Sequence, residues 1–342
     1  MRQVSSQQND HWIAYYVNDK AYPRFADYVF STQKKKSLNF LQGVNHYYGH
    51  SRPNNWQGVK IIYVSPMDLP LFYSTWLSRI QSPFVLITAG GPENVPGDIV
   101  GIKTKGFFNQ IRLQPFMIEH MLDHPQLLAW YTQNNDQTVK HAKLKSIPLG
   151  LGYRGMENKD LHGEKAASAL DQDFTLQSIV ASLKPFAQRK HRVFSDTHLN
   201  DTSRRHQHMG IESRAAVYAQ IKNNPLIDFQ TSARTRSAQW QKRGEYQFSL
   251  SLIGNGFDCH RTWESLILGN IVLLQSSPID DLFAGLPVVI IHDWHEINEE
   301  NLAYWAQKYQ HAFDDPRVLE KLTSAYWLDQ IKAATKAQQQ TK

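Results

Sequence analysis

Short apolar runs alternate with helix-like segments along most of this chain, and that alternation restricts its fold more than any other feature. Residues 59–64 (VKIIYV) and 83–91 (PFVLITAGG) are nearly continuous in apolar character, as strands buried on both faces must be. Between them, residues 70–81 set Leu71, Trp76, Leu77 and Ile80 near helical spacing. Residues 114–130 read as a helix interrupted at Pro125, and 144–147 as a short strand stopped by Pro148. A polar, weakly patterned stretch fills 155–173. The series then resumes with strands predicted over 191–195, 226–230, 246–252, 271–274 and 287–291. Helices are predicted over 176–186, 212–222, 236–243, 259–268 and 297–311. Strands of this length alternating with helices predict an α/β protein with doubly wound parallel sheets. The division expected is an N-terminal α/β domain over 1–155, a linker over 156–175, a C-terminal α/β domain over 176–315, and a helix and tail over 316–342.

Composition agrees. A chain of 342 residues suggests about two domains at ~100–200 residues each. Its 41% hydrophobic content is enough for real cores, which excludes global disorder. One cysteine excludes a disulfide framework and a cysteine-based zinc site. The 37 Lys+Arg against 31 Asp+Glu leave a net charge of +6, a mild excess suited to an anionic small molecule as much as to a nucleic acid. No run approaches ~18 apolar residues, and residues 1–10 lack the apolar core of a secretory signal. The expectation is a soluble cytoplasmic protein.

Ligands of open α/β sheets bind beyond the carboxyl ends of the strands. The block at 246–274 (YQFSLSLIGNGFDCHRTWESLILGNIVLL) carries a strand into such a position. Gly254, Asn255 and Gly256 would let the backbone approach a ligand closely. A helix then opens at Asp258, and its free N–H groups suit a phosphate. His260 and Arg261 add donors on the first turn. Glu264, one turn after Arg261, can accept two hydroxyl hydrogen bonds, as from a ribose diol. The alternative makes Asp258 a cap, Arg261 and Glu264 a surface pair, and Trp263 and Leu266 core residues. Arg204 and Arg205, after the strand at 191–195, could add charge to the same cleft; Ser232 and Arg234, after the next strand, could line it.

The wording GNGFDCHRTWESLILGNIVLL resembles the signature of the exostosin-like glycosyltransferases, and CHRTWE is especially similar to their ribitol xylosyltransferase branch. ITAGGPENVP (87–96), KLKSIPLGL (143–151) and PVVIIHDWHEIN (287–298) resemble further family segments in the family's order. The resemblance implies a GT-B fold, two Rossmann-like domains facing across a cleft. It implies inverting transfer of a sugar from a nucleoside diphosphate to a hydroxyl. A chain of this kind without an anchor is expected to act on a glycan or lipid-linked glycan in surface polysaccharide synthesis. Glu264 would bind the ribose and Arg261 the diphosphate. No metal or other cofactor is expected, because fixed positive charge would stabilise the leaving group. The absent membrane anchor suggests work at the inner face of a membrane, with N-terminal basic and aromatic residues available for peripheral contact.

Such a transfer needs a general base near the acceptor hydroxyl. Glu93, just past a strand end in the N-terminal half, is the first candidate, Asp68 the second, and His46 and His50 the third. Two other function classes compete. Basic clusters at 188–192 and 203–208 suggest a nucleic-acid-binding protein, and an unidentified base leaves room for an inactive sugar-nucleotide-binding relative.

Overall fold

The structure, a computed structural model, describes residues 14–31, 58–99, 113–153, 164, 167–199, 203–230, 232 and 235–336, without the side chains of 203–205. Its strands are β1 (Tyr28–Phe30), β2 (Lys60–Val64), β3 (Phe84–Thr88), β4 (Leu127–Thr132), β5 (Leu144–Ser146), β6 (Lys190–Ser195), β7 (Ile227–Phe229), β8 (Tyr246–Ser251), β9 (Ile271–Gln275) and β10 (Val288–Ile291). Its α-helices are α1 (Ala21–Phe25), α2 (Leu69–Thr75), α3 (Pro115–Asp123), α4 (Ala169–Ser182), α5 (Arg214–Ile221), α6 (Arg236–Gly244), α7 (His260–Ile267), α8 (Glu299–Tyr309), α9 (Pro316–Lys321) and α10 (Ser324–Lys336).

These strands form two five-stranded parallel sheets, the α/β architecture that a GT-B fold requires. In the first sheet β1 to β5 lie side by side in chain order. Successive side chains point to opposite faces. Ile62, Val64, Phe84, Leu86 and Trp130 therefore pack with Leu69 and Phe72 of α2 and Ile118 of α3. Ile61, Tyr63, Val85, Ile87 and Tyr131 point the other way, onto Tyr22 of α1 and Leu328 and Ile331 of α10. The last helix thus returns to cover the first sheet, and Tyr131 Oη donates to its Gln330 carbonyl at 3.0 Å.

In the second sheet the order is β10-β9-β8-β6-β7. The chain runs from β6 out to the edge strand β7, then returns past β6 to β8. The junction between β6 and β8 is consequently the topological switch point. Leu176, Ile179, Trp240, Trp263 and Leu266 of α4, α6 and α7 share one core. Val217, Ile221, Leu302 and Trp305 of α5 and α8 pack on the opposite face.

Three expectations need correction. The helix expected over 114–130 ends at Asp123, and 127–132 is the strand β4. Pro125 disfavours helical backbone at His124, which is extended at φ −56°, ψ 127°, and LLAWYT is then free to pair with β3 and β5. The helix expected from 176 begins at Ala169, inside the stretch read as linker, because the Ser168 hydroxyl caps the Asp171 N–H at 3.1 Å. Asp173, in the stretch read as polar and weakly patterned, lies in that helix and is buried, accepting from Tyr153 Oη and from Gln177 Nε2 at 2.6 Å. The strand β1 lies in a part of the chain for which no element is predicted. Among the described residues no helix is long and apolar enough to cross a membrane.

Candidate functional site

Asp196 follows β6 directly, and the Gly254–Gly256 loop follows β8, so both stand at the switch point of the second sheet. α7 starts immediately beyond that loop. Arg261 and Glu264, one turn apart on α7, face different partners. Arg261 Nε donates to Asp196 Oδ1 at 2.5 Å, while Glu264 accepts from Arg243 Nη1 at 2.8 Å and from Arg236 Nη2 at 3.2 Å. Arg243 also donates to Asp196 through Nη2. Three guanidiniums and two carboxylates thus form one chain, Arg236–Glu264–Arg243–Asp196–Arg261, with one positive charge in excess.

Burial pushes the Glu264 carboxyl up, but the charges of Arg243 and Arg236 outweigh it and hold it at about 2. Burial opposes ionisation of Asp196 as well, and the Arg243 and Arg261 charges again win, holding it well below the usual carboxylate range. Both carboxylates are ionised at neutral pH and can only accept hydrogen bonds. Each Glu264 oxygen takes one arginine donor in the network, which leaves a lone pair on each for a further donor. The Glu264 side chain is 13% exposed, so it can be reached.

Close packing explains the two loop glycines. A Cβ on Gly254 would lie 2.7 Å from Arg214 Nη2, and one on Gly256 would lie 2.7 Å from the Asn134 amide. Arg214 is buried beneath the loop and donates from Nε to the Ile253 carbonyl at 2.8 Å. Asn134, on the segment after β4, accepts the Asp258 N–H at 3.0 Å. The loop is thereby clamped between its own sheet and the first one. The Asn255 carbonyl meets His206 Nε2 at 3.1 Å, and His206 Nδ1 meets Asn94 Nδ2 at 3.1 Å. His206 is fully buried and links the loop after β8 to the loop after β3.

Asp258 does not cap α7, whose cap residue is Cys259. Its carboxylate accepts the Leu149 N–H at 2.7 Å and the Trp263 indole N–H at 2.9 Å. Burial drives its pKa up to about 6, against the pull of those donors. His260 Nδ1 lies 2.7 Å from the Gly150 carbonyl, which can only accept, so the ring carries its proton there. His260, expected as a donor to phosphate, and Asp258, expected to open the helix, each bond to the segment after β5.

Glu93 lies beyond β3, half-buried, with its carboxylate where a Cβ on Gly91 would sit. Asp68, beyond β2, is buried and accepts from Ser31 Oγ at 3.0 Å. Both stand at the carboxyl edge of the first sheet. Ser232 is exposed, and its carbonyl accepts from Gln230 Nε2 at 2.5 Å. The Arg204 and Arg205 side chains, and Arg234, His46 and His50 entirely, lie outside the described residues. Sequence reasoning missed Asp196, Arg236, Arg243, Arg214, Asn134 and His206. A signal existed for two of them. Arg236, Trp240 and Arg243 recur at i, i+4 and i+7, one helix face, and Arg236 lies over the Trp240 ring at 4.6 Å.

No protein-family model matches this chain, and no curated protein matches it in sequence. Among solved structures it is similar to a UDP-forming α,α-trehalose-phosphate synthase from Burkholderia xenovorans, with 12% identity over 81% of this chain and 73% of that one and a TM-score of 0.38. It is also similar to an α,α-trehalose 6-phosphate synthase from Burkholderia multivorans, with 12% identity over 84% of this chain and 73% of that one and a TM-score of 0.38. A third similar structure is the pneumococcal O-GlcNAc transferase GtfA in complex with UDP and GlcNAc, with 9% identity over 82% of this chain and 56% of that one and a TM-score of 0.27.

Proposed function

We propose that this chain is a glycosyltransferase that moves a sugar, with inversion, from a nucleoside diphosphate to a hydroxyl of a glycan or lipid-linked glycan acceptor. The observation that carries this reading is the meeting of Asp196, the Gly254–Gly256 loop and the start of α7 at the β6–β8 switch point. That crevice is where open α/β sheets bind ligands. In this reading Arg261 and the first N–H groups of α7 stabilise the departing diphosphate. The ionised Glu264 accepts from the ribose hydroxyls. Asp258 and His260 keep α7 fixed against the segment after β5, and Glu93 takes the proton of the attacking hydroxyl, with Asp68 the second candidate. The acceptor oxygen bonds to the anomeric carbon as the bond to the diphosphate breaks. No metal is assigned a step. The wording of 254–274 supports a place among the exostosin-like enzymes, and surface polysaccharide synthesis at the cytoplasmic face of a membrane is the setting we propose.

The test is isothermal titration of UDP, GDP, ADP and CDP into the folded protein, followed by nucleotide-sugar consumption assays. One nucleobase family should bind, and Arg261→Ala should weaken it by about tenfold or more, the scale of a charged hydrogen bond. Glu93→Gln should bind the donor and lose turnover. A folded protein that binds no nucleoside diphosphate at millimolar concentration overturns the reading. Binding without turnover by any acceptor would favour the inactive relative.

A further inference from the structure

A second concavity stands on the same edge of the second sheet, one to two strands from the switch point. It has a volume of about 350 Å³ and lies beyond the ends of β9 and β10, against the segment that leads into α5. That size is at the lower end of the ~300–1,000 Å³ range of small-molecule sites. Neighbouring strands are ~4.8 Å apart, so β9 and β10 beneath the cavity lie roughly 5–10 Å from β8, the strand that leads into the Gly254–Gly256 loop. Gln275, in its wall, joins the two directly. Its Oε1 accepts the Ile253 N–H at 3.4 Å and its Nε2 donates to the Glu212 carbonyl at 3.0 Å.

The polar groups in the wall have a common character. The Glu212 carboxylate is held by one donor on each oxygen, Gln220 Nε2 at 2.6 Å and the Trp294 indole N–H at 3.0 Å, and keeps further lone pairs. The Ser276 hydroxyl spends its proton on Asp280 Oδ2 at 2.8 Å, leaving its oxygen to accept. No Lys or Arg is among the described residues that line the cavity. A wall that holds a carboxylate, two serines and a single imidazole, His292, but no Lys or Arg, disfavours phosphate and nucleotide. It suits a ligand that brings many donors and no negative charge.

We propose that this cavity is a carbohydrate subsite that takes a neutral, hydroxyl-rich sugar ring beside the nucleotide crevice. Glu212 and Ser276 accept its hydroxyl protons. The sugar is either the group carried by the donor or the terminal ring of the acceptor. Its part in the reaction rests on the glycosyltransferase reading; the ligand class does not.

The test is saturation-transfer NMR with methyl glycosides of glucose, galactose, mannose, xylose and N-acetylglucosamine at millimolar concentration, without nucleotide. At least one should receive saturation. Glu212→Gln should weaken its binding by about tenfold, and Ser276→Ala by a smaller factor, with the circular dichroism of each variant unchanged. Adding nucleoside diphosphate and then the matching nucleotide sugar separates the two sources. Displacement only by the nucleotide sugar identifies the donor's ring, and retention in both cases identifies the acceptor's. No transfer to any glycoside, or transfer that neither substitution alters, overturns the subsite. Glycoside binding in a protein that binds no nucleoside diphosphate would sustain the subsite and overturn only the donor assignment.

Discussion

Arg243 donates to Glu264 at 2.8 Å from a position where its own side chain is only 2% exposed. The carboxylate on α7 is therefore oriented from inside the protein. Breaking a buried ion pair from one side leaves the partner charge uncompensated, at a cost of about 3–5 kcal/mol. Arg243→Met should destabilise the fold by that amount in urea denaturation, because both Asp196 and Glu264 lose a partner. A loss below about 1 kcal/mol would mean the network is not buried as described.

Acid should release the same network. The folded-state pKa of Glu264 is depressed from 4.5 to about 2, and that of Asp196 is depressed too, so each contributes stability above its unfolded pKa and loses it as pH falls. For Glu264 the depression corresponds to roughly 3 kcal/mol. Stability should fall between about pH 5 and pH 2, and Glu264→Gln should show a shallower fall over that window. Parallel curves for the two proteins would contradict the assignment.

Asp258 has the opposite sign. Its folded-state pKa is raised from 3.8 to about 6, so burying its charge costs stability at neutral pH, and that cost disappears as pH falls through 6 towards 4. The stability of Asp258→Asn minus that of the wild type should therefore decrease by up to about 3 kcal/mol from pH 7.5 to pH 4. Paired denaturation curves at the two pH values test this, and an unchanged difference counts against a buried charge at 258.

Gly256 and Asn134 should be energetically coupled. A methyl group at Gly256 must displace the amide that accepts the Asp258 N–H. Gly256→Ala should cost about 1–3 kcal/mol, as overpacking does. Asn134→Gly removes the obstructing amide and suits the left-handed backbone there, at φ 49°. A double-mutant cycle should return a coupling above about 0.5 kcal/mol, and additive losses would show that the two do not touch.

The last helix should behave as part of the first sheet's core. Ile331 is fully buried among Ile61, Tyr63 and Tyr131. Ile331→Ala should cost about 2–5 kcal/mol. Hydrogen exchange should then quicken in β2 to β4 more than in β8 to β10; uniform quickening would argue against a selective tie to the first sheet.

Much of this architecture was legible in the chain. Strands are predicted over residues 59–64, 83–91, 246–252 and 271–274, and four strands lie within one to three residues of those bounds. β4 was hidden because its run follows a helical pattern with only Pro125 between them, and a short apolar run fits either period. Asp173 reads as part of a polar loop because a polar residue near a helix start is indistinguishable from loop until Tyr153 covers it.

The sequence by itself determined the α/β alternation, the glycine loop at 254–256 and the presence of Arg261 and Glu264 one turn beyond it, since periodicity and loop chemistry are local properties. Only the tertiary structure decided which strands are neighbours. With the β6–β8 pairing came the switch point, the approach of Asp196 to Arg261, and the pairing of Glu264 with arginines 21 and 28 residues away in the chain. It also decided that α10 covers the first sheet. Such contacts depend on strand order, and strand order follows from how two buried faces are jointly satisfied, which no local window of residues records.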